Sequence, residues 1–600
     1  MRQLYLEHLE ARELLFASVL LTPGWATFGQ TLIQGVARDH LQVGSLDTQT
    51  DVKTTWPDGS IRFAIVTAEV VTAGTYALTQ GSPAAGVVPA QGGLHTAVLS
   101  TGETDWRALS AGPPQSIWLS GPLVTETRRV VTPVNHLGQP HSFLKVVYDE
   151  RWYRDGQFRL DVTVENTRHG AGNQVWYVPS LYHAGIQVWN NGGVVHPYLT
   201  RWRAVVDFWY FATATTDFAP QTVPNYWNGV ADLVSGFDPY SPEFSILGPG
   251  SLNPFMPDHG GREEIAPLPD WTARYLVHKN PTQRAYVLVH GDLSGSWPIH
   301  VREDDFSVLT IDARPNYWLD SRAEPQDRPQ GDLDQRGPLV PDNAHQPSLA
   351  YVPYLMTGDR YYADEMTAWA EYSLLVTFQD GFYNCRGGSA GLLWCNETRG
   401  IGWAFRNIVH AASYLPDADP LKAHFRDKVQ NNLAAFDQFA NTQATAYGVA
   451  WHGIHPWEDG HDVVILWGHE FVAWAIQMAN QQGFAGGTVW RDQIGQFQVG
   501  YSNSPYRDGS APYRLPLWRT GIGVWYMTYA EAYVGPTAMQ GYYGPDARLQ
   551  TVIGIELGWA GAQTAYDYLN DILMYQPWIG GISDLGRRAG WALLPIEQGV

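Results

Sequence analysis

Phe158, Leu160, Val162 and Val164 alternate with Arg159, Asp161, Thr163 and Glu165. That is the period of a strand giving one face to a core and the other to water. Arg154-Asp155-Gly156 supplies a hairpin turn just before it. Short strands with Gly/Pro turns also fill residues 1–95, closing with the low-complexity stretch Gly81-Ser82-Pro83-Ala84-Ala85-Gly86, which marks a first boundary. The β signal continues to residue 245 and predicts an antiparallel sheet buried on one face, in a β-sandwich spanning 96–255.

The period then changes. Leu268, Trp271, Tyr275 and Leu276 open a helical pattern, and Tyr362, Met366, Trp369, Ser373 and Val376 step by three and four along a helix capped by Asp359. Leu421, Phe425, Val429 and Leu433 repeat the spacing after Pro420, with further stripes near 397–415, 464–480, 520–534 and 558–574. Helices separated by irregular loops across 256–600 predict an α/α toroid rather than a bundle. The Pro-, Asp- and Arg-rich stretch from Asp312 to Pro341 reads as a lid, an insertion or an interface arm.

Length adds that a chain of 600 residues exceeds one core and should divide into several domains. With 13% aromatic residues, including 26 Trp and 32 Tyr, against 16% charged, the chain is a folded one whose surplus rings suit sugar stacking. A formal charge of −21 and the lack of any Lys/Arg run exclude nucleic acid as a partner. Cys385 and Cys395 are too few for a disulfide framework and fit no common zinc spacing; two reduced thiols are expected, a single loop-closing bridge being the alternative. No stretch has the length of apolar residues needed for membrane insertion, and Met1 to Glu13 lacks the pattern of a cleavable leader. The expected location is therefore the cytoplasm, or a virion released by lysis.

Trp56-Pro57-Asp58-Gly59-Ser60-Ile61-Arg62-Phe63 is a turn entering a strand: Pro presets φ, Asp bonds local backbone, and Gly accepts the left-handed position. Together with Thr27-Phe28-Gly29-Gln30 and Gln49-Thr50-Asp51-Val52-Lys53, it resembles the N-terminal RIFT-type β-barrel of exo-rhamnogalacturonan lyase-like proteins. The resemblance implies a small barrel over 1–95, ahead of a helical toroid that handles polysaccharide. Gly260-Gly261-Arg262-Glu263-Glu264-Ile265-Ala266-Pro267-Leu268-Pro269, Asp342-Asn343-Ala344-His345-Gln346-Pro347-Ser348 and Tyr354-Leu355-Met356-Thr357-Gly358-Asp359 resemble segments of phage and bacterial proteins that join such a barrel to a toroid. These motifs speak more to architecture than to activity, since one fold hosts many functions.

Elimination from a uronic acid needs a group to neutralise the carboxylate, a base for the C5 proton and an acid for the leaving oxygen. Arg or Asn, His or Tyr, and Tyr suit those roles. His345 lies before the helix expected around 360–378, and Tyr383, Asn384, Arg386, Glu397 and Arg399 lie after it. Arg399 and Asn384 are candidates for the carboxylate, His345, Tyr383 or His461 for proton transfer, and Arg386 for substrate binding. Each has a plainer reading: His345 could cap the next helix, Glu397 could pair with Arg399, and Tyr383-Asn384 could only shape a turn.

A second cluster, from Trp451 to Asp462 with His469-Glu470 nearby, holds Trp451, His455 and Trp457 as candidates for sugar stacking and hydrogen bonding. Its His452, His455 and His461 could hold a divalent metal, but the spacing matches no metal motif, so no cofactor is expected. Glu397 with Asp459, Asp462 or Glu470 is the carboxylate pool for a glycoside hydrolase. No G-x-S-x-G elbow and no phosphate loop occurs, and the Asn396-Glu397-Thr398 sequon is read as chance. The leading expectation is a carbohydrate-active protein, a lyase if catalytic, whose partner is a polysaccharide or cell-surface glycan. The rivals are a non-enzymatic phage tail or receptor-binding protein, in contact with other virion proteins, and a hydrolase on the same scaffold.

Overall fold

The computed structural model describes residues 17–596 except 91, 171–172, 208–210, 233–237, 240, 259–261, 320–336, 378–385, 395, 444, 457–461, 520–522, 534–540, 543 and 576–587. The N-terminal part is built of antiparallel sheets and the C-terminal part of helices. Among the described residues these strands come first: β1 (Ala17–Leu21), β2 (Gly24–Thr31), β3 (Leu41–Val43), β4 (Thr48–Thr55), β5 (Ile61–Val70), β6 (Gly74–Gln80), β7 (His95–Ser100), β8 (Asp105–Leu109), β9 (Ser116–Ser120), β10 (Val124–Val131), β11 (Lys145–Tyr153), β12 (Phe158–Asn166), β13 (Val175–His183), β14 (Ile186–Asn190), β15 (Val194–His196), β16 (Thr200–Asp207) and β17 (Ala214–Thr216).

Strands β17-β1-β6-β3 and β2-β5-β4 make two ladders around one apolar core, and among the described strands these ladders do not join into a closed ring. The chain returns to this unit late, since β17 pairs with β1. The turn before β5 has the expected chemistry: Asp58 Oδ1 accepts from the Ser60 amide at 3.0 Å, and Gly59 sits at φ +81°. Strand β5 is apolar without a break from Phe63 to Val66, where both of its faces are covered. Ala64, Val66 and Ala68 enter the local core, while Phe63 and Ile65 point into the helical region, where Phe63 meets Tyr354 with ring centroids 5.0 Å apart.

Sheets β16-β12-β11-β10-β9 and β14-β13-β7-β8, the latter with β15 on β13, share a core of Tyr148, Trp152, Leu160, Val162, Val164, Tyr177 and Trp202 among others. The alternation in β12 is as read, but the exposure of its polar face is not. Asp161, Thr163 and Glu165 are buried, Glu165 to 1%. They lie under a helix that brings charges of its own, so the polar face is paired rather than wetted.

The helices are α1 (Asp270–His278), α2 (Pro281–Asp292), α3 (Tyr351–Thr357), α4 (Arg360–Leu375), α5 (Thr398–Tyr414), α6 (Pro420–Thr442), α7 (Leu466–Gln481), α8 (Thr488–Asn503), α9 (Tyr529–Tyr533), α10 (Asp546–Glu556) and α11 (Ala562–Tyr575). Pro420 occupies the first turn of α6, and Asp419 caps it by accepting from the Leu421 amide at 2.9 Å. Helix α5 packs on α7 and α7 on α10, with α6, α8 and α11 flanking them. None of the described helices is long and apolar enough to cross a membrane.

Among the described residues of the stripe expected over 520–534, α9 is helical, while Val524–Trp525 pairs with Trp518–Arg519 as short strands. Asp359 stands at the N-cap of α4, but its side chain makes no capping bond. It accepts instead from Arg159 Nη2 at 2.6 Å, Arg203 Nη2 at 2.7 Å and Arg151 Nη2 at 3.0 Å, all reaching across from the sheet. Arg201 spans Glu165 at 2.9 Å and Glu365 at 2.6 Å, and Arg128 spans Asp149 at 2.6 Å and Asp364 at 2.7 Å. Most of Asp312–Pro341, together with Cys385 and Cys395, lies outside the described residues.

Candidate functional site

The first turn of α5 is wedged between two loops by its small residues. A Cβ on Gly400 would come 2.8 Å from the Asn343 carbonyl oxygen, so the helix lies directly on the backbone that carries Asp342 and His345. On its other side, Gly468 in the first turn of α7 admits Thr398 and the Arg399 amide. The Arg399 guanidinium lies over the Trp467 ring at 5.1 Å, and Thr398 Oγ1 meets His452 Nδ1 at 2.9 Å. The two stretches of candidate residues, around His345–Arg399 and around Trp451–Glu470, therefore adjoin at the N-terminal ends of α5 and α7.

His345 is 2% exposed. Its Nδ1 donates to Asp342 Oδ2 at 2.5 Å, and its Nε2 has no hydrogen-bond partner. Burial, joined by the charges of Arg399 and Arg262, pushes its pKa below the ordinary histidine value, against the pull of Asp342. Burial opposes ionisation of Asp342 too, but the hydrogen bond and charge of His345, with Arg399, hold that carboxyl below its ordinary range. An ionised Asp342 fixes the proton of a neutral imidazole on Nδ1 and leaves Nε2, which is itself buried, without a hydrogen-bond partner. This is the arrangement of an oriented general base.

Arg399 approaches Glu397 at 3.2 Å, the pairing anticipated as its plainer role, yet Glu397 is 51% exposed and the Arg399 Nε is buried without a partner. Arg386 is placed differently. It is wholly buried, and its guanidinium is held by main-chain carbonyls, among them Pro315 at 2.7 Å and Tyr317 at 2.8 Å, next to the end of α4. Trp451 is 4% exposed; its indole donates to the Ala446 carbonyl at 3.0 Å and its ring packs edge-on against His469 and Phe497. It is part of the core, with no face open to a sugar. His455 is exposed and paired with Val463 in a short ladder. Tyr383, Asn384, Trp457, Asp459 and His461 lie outside the described residues.

His452 has neither ring nitrogen to spare: Nδ1 faces Thr398 and Nε2 donates to the Trp394 carbonyl at 2.9 Å. His469 is similarly spent, with Nδ1 on the Ile465 carbonyl at 3.1 Å and Nε2 accepting from the His452 amide at 3.0 Å. Among the described residues, no group of three potential ligands could hold a metal ion. Glu470 is wholly buried beside Asp546, and burial with mutual repulsion pushes its carboxyl well above the ordinary range. That places Glu470 in the interior between α7 and α10, against Asp546.

Three participants escaped the reading of the sequence as chemistry: Asp342, Arg262 and Trp467. Asp342 precedes His345 by three positions, the spacing at which a carboxylate can turn back onto an imidazole, and this was the one local signal available. Arg262 is distant along the chain and is brought in by the pairing of Phe255 with Val340. Comparison with family models and with curated protein sequences gives no match, so function is argued from the geometry of this site alone.

Proposed function

We propose that the protein is a carbohydrate-active enzyme that cleaves a uronate-containing polysaccharide by β-elimination, on a scaffold of a small RIFT-like barrel, a β-sandwich and an α/α toroid. The observation that carries this reading is the free Nε2 of His345, with Nδ1 fixed by Asp342 at 2.5 Å and Arg399 alongside. In this mechanism Arg399 pairs with the substrate carboxylate and stabilises the charge that develops when C5 loses its proton. His345 Nε2 takes that proton, the C5–H electrons form the C4–C5 double bond, and the C4–O bond breaks. The departing oxygen receives a proton from an acid, a role for which Tyr383 and His461 have the right chemistry. Trp467, beneath Arg399, would hold the guanidinium plane in place.

The test is incubation of the purified protein with a panel of uronate-containing polysaccharides and bacterial surface glycans, following ultraviolet absorbance of the new double bond together with reducing ends. A rise in both supports elimination. Reducing ends without absorbance mean hydrolysis. Binding with no change in either makes the protein an adhesin, as a phage tail or receptor-binding component would be.

A further inference from the structure

Arg262 reaches the same site from a different part of the chain. The Met256 amide donates to the Val340 carbonyl at 2.9 Å, and the Val340 amide to Pro254 at 2.8 Å, so the segment carrying Arg262 is sewn to the backbone just ahead of Asp342. Arg262 Nη2 donates to the Met256 carbonyl at 2.7 Å, which anchors one arm of the guanidinium. The other arm makes no hydrogen bond: Nη1 is buried and holds only a long ion pair to Glu264, at 3.9 Å. Arg399 Nε and His345 Nε2 are likewise buried and unbonded. A buried donor left unmade costs roughly 1–3 kcal/mol, and more where it is charged. Arg262 and Arg399 both act on His345, and each keeps a donor that a group accepting hydrogen bonds and carrying negative charge would complete.

The geometry points to Arg262 as a second receiver for the acidic group of the substrate sugar, acting with Arg399 and setting preference for a carboxylate-bearing residue over its neutral counterpart. This rests on the elimination reading for its substrate class, but not for the binding itself. With Nη2 held by backbone, Arg262 offers Nη1 in a fixed direction, so little side-chain entropy is lost on binding. Arg399, stacked on Trp467, is fixed by a different device. Two guanidiniums of independent origin can then grip both oxygens of one carboxylate while His345 stays free to accept a proton. The net charge of −21 makes such a local pair necessary, since the surrounding field repels an anionic glycan.

The experiment is calorimetric titration of the full-length protein with a uronate oligosaccharide and with the same oligosaccharide after its carboxyl groups have been reduced to alcohols. Wild type should bind the acidic form at least about tenfold more tightly, as expected for one charge-assisted contact. Arg262→Gln should reduce that ratio severalfold with little change in affinity for the reduced form; an unchanged ratio would overturn the inference. Should Arg262→Gln fail to fold, Arg262→Lys keeps the charge without the planar fork, and again a lower ratio supports the proposal while a wild-type ratio rejects it. A ratio dependent on Arg262 without any formation of double bonds would retain the receiver and remove the lyase reading. Elimination that does not depend on Arg262 would do the reverse.

Discussion

Arg203 donates through Nη2 to Asp359 Oδ2 at 2.7 Å, joining the last long strand of the sheet to the start of helix α4, with both side chains buried. Arg159 and Arg151 converge on the same carboxylate. Asp359 is held well below the ordinary carboxyl range: burial opposes its ionisation, and the three guanidiniums overcome it. Removing one partner of such a cluster leaves buried charge uncompensated, a loss of about 3–5 kcal/mol. Asp359→Asn should therefore lower the urea midpoint substantially, and added salt should not reproduce the effect, because buried pairs are poorly screened.

For the site, His345→Ala should lower the elimination rate by roughly 10²–10⁴-fold, the ordinary worth of a positioned base. Asp342→Asn should keep the fold but slow the reaction, because the proton on Nδ1 loses the carboxylate that orients it. Since His345 must be neutral to act, the acid limb of kcat/KM is expected below pH 6.5, the ordinary histidine value from which burial and Arg399 lower it. Arg399→Gln should move that limb upward as well as weaken binding. A limb that stays in place would mean that another group is the base.

The sequence pattern located most of the secondary structure and missed how its parts meet. The alternation in β12 and the helix that opens at Pro420 were readable because they are local, whereas Asp359 marks a helix start without capping it, its carboxylate being taken by arginines of the sheet. What lay opposite Asp161 and Glu165 was not readable, because Arg203 and Arg201 come from β16, and Arg302, which meets Glu165 at 2.6 Å, from farther along the chain; a polar face looks the same in sequence whether water or charged neighbours cover it. Trp451 shows the converse error: a Trp among His and Asp residues resembles a sugar platform, but its burial is decided by Phe497 on α8, a helix that the periodicity did not reveal. His345 and Arg399 could be named as candidates because their chemistry is specific, and the structure sets the segments that carry them against each other at Gly400. Asp342 was passed over because one Asp in a Pro-rich loop resembles any other.

Asp270, in the first turn of α1, offers a test through pH. Its Oδ1 accepts from the Gly590 amide at 2.8 Å while Oδ2 has no partner. Burial raises its pKa from 3.8 to about 7, outweighing Arg588, the Gly590 amide and Arg274, with Glu263 adding to the rise. A raised value means that the folded state holds the proton more tightly than the unfolded chain does. This contribution is complete below pH 3.8 and is lost as pH climbs through about 7. Asp270→Asn should flatten the fall in stability across that interval and leave the variant the more stable form above it, as thermal melts against pH would show.

Gly29 faces the helical region from β2, where a Cβ would collide with the Leu355 carbonyl of α3. Backbone cannot yield as a flexible side chain can. Gly29→Ala should cost on the order of 2 kcal/mol or more through forced separation of sheet and helix. The neighbouring Phe63–Tyr354 contact should loosen with it, detectable as faster hydrogen exchange in α3 than in α7.

The charged face of the β10–β12 and β16 sheet also bears on how the chain is made. Domains fold in order as they leave the ribosome, and the sheet is complete well before the helix that covers it has been synthesised. An apolar docking face would be sticky throughout that interval. A face of arginines and carboxylates can meanwhile pair within itself, as Arg151 does with Glu126 at 2.6 Å and Arg128 with Asp149 at 2.6 Å, and it stays hydrated until Asp359 and Glu365 arrive. The unfinished protein thus waits for its second half with a surface that water tolerates.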